Sequence, residues 1–133
     1  MKQQHREVAQ SCLSGAESGS MTFPQIVQTL VEAGFEGYLV DFRQGSTTYY
    51  LPDDEPIQLK AGHAARLVAE RFDVDKIVRA IRDAQQLVAG YTYGGFRNTV
   101  TEAGCAGYFV SFPGKRVLYF GRAAEFHTEF FPN

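Results

Sequence analysis

Glu125, His127 and Glu129 alternate along AEFHTEFF (124–131). If that segment is a strand, alternation puts all three on one face. Carboxylates beside an imidazole are the groups of acid–base and metal chemistry. The spacing weighs against both. Neighbours on one strand face stand about 6.6–6.8 Å apart, whereas a zinc ion needs donors about 2.0–2.2 Å away. Three such side chains splay, and at most two could share an ion. This trio is the nearest approach to a metal site in the chain, and the plainer expectation is a solvated strand face.

The other reactive side chains are more scattered. Cys105 follows Gly104 and could be a nucleophile at a helix end, but no His–Asp or His–Asn pattern stands near it. A small buried hydrophobe fits it better. Asp53-Asp54-Glu55 gathers three carboxylates without the alternation and turn glycine of a calcium loop. Pro113-Gly114-Lys115-Arg116 has the letters of a phosphate site but sits where a two-residue hairpin turn is expected, with Pro fixing φ and Gly taking the positive φ. No phosphate loop or dinucleotide fingerprint occurs. His63 reads as a surface residue, and His5 lies where a frayed terminus is expected. No catalytic residue, metal or cofactor is expected.

Bulk properties set the class. The chain has 133 residues, 44% hydrophobic and 21% charged, with eleven Phe, seven Tyr and no Trp. One domain of this size buries a core without staples. A net charge of −2 lacks the basic stripe that neutralises phosphates, so no nucleic-acid partner is expected. It gives no attraction to anionic membranes either. Two cysteines cannot make a disulfide framework, which suits a reducing compartment. The start, MKQQHREVAQ, has no apolar signal core. The expectation is a soluble, cytoplasmic protein.

The elements that must position these residues come twice. EAGFEGYLVDF (32–42) returns seventy residues later as EAGCAGYFVSF (102–112). Over 22–49 and 92–119, ten of 28 aligned positions are identical. That density in an ungapped alignment reads as an internal duplication. Each copy predicts a helix, then a strand, a hairpin turn and a return strand. Thr22 with Gln25 forms a capping box. Phe23, Ile26, Val27 and Leu30 share a helical face. Gly34 and Gly104 stand where a helix end wants a left-handed residue. Tyr38, Val40 and Phe42, like Tyr108, Val110 and Phe112, point one way and form the core face. IQL (57–59) and AEFHTEFF (124–131) are candidate third strands. Two helices are expected between the copies, over 61–71 and 74–88. A weaker helix to about residue 16 precedes a flexible connector, 14–21.

The expected fold is α+β: two pseudo-symmetric helix–β-hairpin repeats form one antiparallel sheet with helices packed on it. The whole of 1–133 is one domain. Residues 1–21 are the N-terminal helix and linker, 22–59 repeat one, 60–90 the connecting helices and 91–132 repeat two.

Two candidate sites follow. Leu39, Tyr50, Phe109 and Phe120 would line the sheet face opposite the core trio. If no helix covers it, that face is an apolar patch of the kind that receives a partner or a second copy. The central helices over 61–88 are the alternative cover. The second candidate is the seam between the copies, where Glu32, Tyr38, Glu102 and Tyr108 could line a pocket.

The AG–x–x–GY–x–V–x–F block, the tyrosine-bearing return strand and the phenylalanine-rich end resemble a small prophage-associated family of domains of unknown function. Its members, YdfO- and YbcV-like proteins, are loosely called phage envelope proteins. The resemblance covers residues 20 to 132. It implies a compact α+β fold and a bacterial or prophage setting, with no activity to transfer. Together with the missing convergent site, it favours a non-enzymatic protein-binding module with an unknown protein partner. A homodimer is one form of that partnership. An enzyme or small-ligand protein with its pocket at the seam is the alternative. A phage structural component is a further one.

Overall fold

The computed structural model describes residues 2–60 and 65–131. The elements in chain order are α1 (Lys2–Ser18), α2 (Phe23–Glu32), β1 (Gly37–Asp41), β2 (Ser46–Tyr50), β3 (Ile57–Lys60), α3 (Val74–Gln86), α4 (Tyr93–Glu102), β4 (Cys105–Ser111), β5 (Arg116–Gly121) and β6 (Phe126–Phe130). The six strands form one sheet in the order β3-β2-β1-β4-β5-β6, and every neighbouring pair is antiparallel. The fold is α+β.

Local chemistry explains the helix starts. Thr22 accepts the Gln25 N–H while Gln25 Oε1 accepts the Thr22 N–H, and Pro24 sits in the first turn, where its missing donor costs nothing. Thr92 caps α4 by accepting from Gly95. Asp73 caps α3 by accepting from Lys76. Gly34 and Gly104 both take φ of +94° just past α2 and α4, the left-handed stop that the sequence suggested.

All four helices feed one core. Ile26 and Leu30 of α2, Ile77 and Ile81 of α3, and Phe96 and Val100 of α4 cluster with Tyr38, Val40, Phe42, Tyr108, Val110 and Phe112. The two strand trios are buried as their alternation predicted. At the sheet centre Leu39 stands opposite Phe109, flanked by Tyr38 opposite Val110 and Val40 opposite Tyr108.

Three expectations need correction. The helix expected over 61–71 is absent from its described part. Residues 65–71 are irregular, with Leu67 fully outside at 97% exposure and only Val68 inside. The segment's N–H groups find partners elsewhere: Arg66 donates to Phe42 O, Ala69 to Thr101 O and, just beyond, Asp73 to Ala103 O. A strap with its donors satisfied that way gains nothing from coiling. Ala61, Gly62, His63 and Ala64 lie outside the described residues. Second, α1 continues to Ser18, through most of the expected connector. Its end is drawn in by Met21, whose N–H donates to Gly15 O. Third, the β4–β5 link is four residues, 112–115, and Lys115, not Gly114, takes the positive φ, at 52°.

Candidate binding face

The sheet has two unlike faces because its strands alternate. One is sealed by helices. The other carries Leu39 of β1, Tyr50 of β2, Phe109 of β4, and Leu118 and Phe120 of β5. Phe126, Thr128 and Phe130 of β6 join it through their pairing with Phe120, Leu118 and Arg116. Among the described residues no helix contributes to this face. The four residues singled out from the sequence, Leu39, Tyr50, Phe109 and Phe120, do come together on it.

Glycines let the face pack on itself. Gly37 stands opposite Tyr50, and Gly107 opposite Phe120. A Cβ at Gly107 would lie 2.7 Å from Phe120 Cζ, and one at Gly37 would reach Phe109 Cζ at 3.5 Å. Each ring lies over the bare backbone of a neighbouring strand. Tyr50 and Phe109 then meet edge-on, with centroids 6.1 Å apart. The four predicted residues are therefore half-buried by one another. The exposed apolar area lies beyond them, at Leu118 (36% exposed), Phe126 (68%) and Phe130 (63%). Arg116 stacks its guanidinium on the Phe130 ring, 4.7 Å from the centroid.

The seam residues are divided. Tyr38 and Tyr108 are buried, with ring centroids 6.4 Å apart. They are the middle of a row running Tyr49, Tyr38, Tyr108, Tyr119 across four strands, with 5.5 Å between the outer pairs. Tyr93 reaches down from α4, and its hydroxyl lies 2.9 Å from that of Tyr108. Burial pushes these phenols up, Tyr93 to about 12 and Tyr38 and Tyr108 well above the ordinary value. Glu32 and Glu102 are exposed at the last residues of α2 and α4. Glu32 accepts from Gln28 Nε2 at 3.0 Å. Neither glutamate bonds to the tyrosines, so the four do not form one site.

The Glu125, His127 and Glu129 trio is also divided. Glu125 precedes β6, and its Oε1 accepts the Ala123 N–H at 3.0 Å. His127 and Glu129 lie on the helix side, opposite Tyr119 and Val117. Glu129 is occupied twice, by His127 Nε2 at 2.5 Å and by Arg82 Nη1 of α3 at 2.6 Å. Burial alone would raise its carboxyl, but the hydrogen bonds from Arg82 and His127 more than offset that and hold it below its ordinary 4.5. Among the described residues no group of three His, Cys, Asp or Glu side chains gathers closely enough to hold a metal. Cys105 is wholly buried, its thiol lies 3.3 Å from Gly107 O, and burial pushes it up to about 11. That is the environment of an inert thiol. Asp53, Asp54 and Glu55 form an exposed turn.

Sequence reasoning missed a groove at one end of the sheet. Val27 and Val31 of α2, Phe35, Phe112, Phe130 and Phe131 line a volume of about 940 Å³, with Glu36 and Lys115 among its walls. Val31 had no place on the core face of α2, and that misfit was the available signal.

The family described as "Protein of unknown function (DUF1398)" matches residues 13–129. The chain belongs to this family. The match starts within α1 and ends within β6, so it takes in both sheet edges. Among curated proteins no similar sequence was found. No helix among the described residues is long and apolar enough to cross a membrane.

Proposed function

We propose that the protein is a non-enzymatic binding module whose open sheet face receives a partner protein with an apolar surface. The observation that carries this reading is the uncovered aromatic face: Leu118, Phe126 and Phe130 are left to water beside a half-buried Leu39–Tyr50–Phe109–Phe120 patch. Exposed, contiguous apolar area is uncommon on monomers and marks interaction sites. The division of the polar groups adds to it. Glu129 is engaged by Arg82 and His127, Cys105 is buried as a thiol, and the seam glutamates stand apart from the tyrosines. The resemblance of the paired AG–x–x–GY blocks favours a prophage setting, and two free cysteines favour a reducing, cytoplasmic one. The same blocks, the shared left-handed glycines and the palindromic strand order support an origin by duplication.

The test uses the full chain as bait in its host, before and after prophage induction, beside Leu118→Lys. The expected result is one saturable partner captured by the wild type and lost from the variant. Equal capture by both would sink the reading. The groove of about 940 Å³ favours the second reading, a small apolar ligand, since its size falls in the range of ligand sites. A clean bait together with a compound that protects Val31 and Phe131 from labelling would move the function there. A phage structural component would instead appear as assemblies larger than a dimer.

A further inference from the structure

The two edges of the sheet differ in kind. Edge strands expose unpaired backbone groups, and proteins blunt them with charge, proline or cover. At β3, Pro56 precedes the strand, and Gln58 and Lys60 are exposed on it. Within FHTEF there is no proline, and its one charged residue, Glu129, lies on the helix side bonded to Arg82 and His127, while two exposed phenylalanines stand on the open side.

The direction of the free groups on β6 can be worked out. Phe131 N–H donates to Lys115 O and Gly121 N–H donates to Glu125 O, both at 2.9 Å. Hydrogen-bonded pairs alternate along an antiparallel ladder. In the β5–β6 register the bonded β6 residues are therefore Glu125, His127, Glu129 and Phe131. Phe126, Thr128 and Phe130 turn their N–H and C=O groups outward, where no described residue meets them.

We propose that β6 is a self-association edge, pairing antiparallel with β6 of a second copy across a twofold axis at Thr128. The sequence of the strand selects this partner and this register. With Thr128 opposite Thr128 of the second copy, Phe126 faces Phe130 of the second copy on the open side. On the helix side His127 faces Glu129 of the second copy, an imidazole against a carboxylate. All the outward backbone groups of the strand find partners in that arrangement. Sliding by one pair in either direction sets His127 against its own copy, or Glu129 against its own copy, and carboxylates facing each other repel. A head-to-tail contact between β6 and β3, which would run on into a filament, meets the exposed Lys60 instead. The twofold lies perpendicular to the sheet. Both helix layers then stay on one side, and the two open faces join into a single surface. This inference concerns the edge and does not rest on the face reading.

Sedimentation of the full chain over a wide concentration range tests it. The wild type is expected to reach twice the 14.8 kDa chain mass. Thr128→Pro removes an N–H that the monomer's own ladder does not use, and an edge strand tolerates proline there. The variant is expected to shift to single-chain mass with its circular dichroism unchanged. Phe126→Lys, on an exposed side chain, is expected to do the same and stands in if the proline variant fails to fold. Thr128→Cys reports the register, because bonded antiparallel pairs have Cα atoms about 5.5 Å apart, within disulfide reach. It should cross-link under mild oxidation, while Phe126→Cys, which faces Phe130 of the second copy, should not. A wild type that stays monomeric throughout would overturn the proposal. So would a dimer that survives both Thr128→Pro and Phe126→Lys, or one cross-linked by Phe126→Cys but not by Thr128→Cys. Loss of self-association with partner capture intact would leave the face reading standing, and the reverse would leave this one.

Discussion

The two halves of the chain carry the same run of elements, a helix and three strands, yet they treat equivalent positions differently. Gly34 ends α2 in open space, whereas Gly104 ends α4 against the strap, where a Cβ would collide with the Arg71 carbonyl. Gly45 takes the left-handed position in the first hairpin link and Lys115 takes it in the second. The first half ends at an edge guarded by Lys60, the second at one bearing Phe126 and Phe130. One local recipe therefore gives two outcomes, because what surrounds each half is different. The second half meets the strap at Thr101, Ala103 and Gly104 and carries the two most exposed phenylalanines.

The largest prediction sharpens this contrast at the glycines. Gly104→Ala adds left-handed strain to a backbone collision and should cost about 3 kcal/mol or more. Gly34→Ala meets strain alone and should cost about 1–2 kcal/mol. Urea unfolding of both variants measures the gap; equal losses would mean that the strap does not press on Gly104.

That strap also shows where sequence reading stopped. The helix stops, the strand trios and the hairpins were legible because each is a local pattern: a capping box, a period of two, a glycine after an alanine. The 65–71 segment was not, since Leu67 and Val68 mimic a helical stripe while the real determinants are carbonyls of Phe42 and Thr101, far off in the chain. At the candidate site the same divide holds. Alternation was enough to place Leu39, Tyr50, Phe109 and Phe120 on one face. It could not show that their rings lie over Gly37 and Gly107, or that the exposed area shifts to Leu118 and β6. The tyrosine row was half legible: alternation put Tyr38 and Tyr108 on the core face, but nothing local placed the Tyr93 hydroxyl beside Tyr108.

The next effect concerns that row. Buried phenols and the Cys105 thiol have raised values in the folded chain, so their contribution is fully present below the ordinary values of 9.0 and 10.0. It is lost as pH rises through about 11 for Cys105 and about 12 for Tyr93. Phenolate absorbance from the buried tyrosines should appear together with unfolding, above the ordinary value of 10.0. A row that ionises near pH 10 in the folded chain would show that the helices do not seal it.

A smaller effect separates the two hairpin links. Lys115→Gly should stabilise by up to about 1 kcal/mol by relieving the left-handed strain, and Gly45→Lys should destabilise by about as much. Thermal melts of the two variants decide this. Smallest is Glu129→Gln, which weakens the Arg82 tie between α3 and β6. Partly exposed ion pairs contribute about 0–1 kcal/mol. Because the Glu129 carboxyl is held below its ordinary value, its contribution is present above about pH 4.5 and fades as pH falls through the folded value. Wild type and variant should therefore differ at neutral pH and converge in acid.

The open face is the centre of the account, and carbene footprinting of the full chain, alone and with its captured partner, tests it most directly. The account predicts strong labelling of Leu118 and Phe126 in the free chain, little at Val110 and Ile77, and protection of Leu118 and Phe109 when the partner is bound. Protection confined to Val31 and Phe131, or a face that is already unlabelled in the free chain, would contradict it.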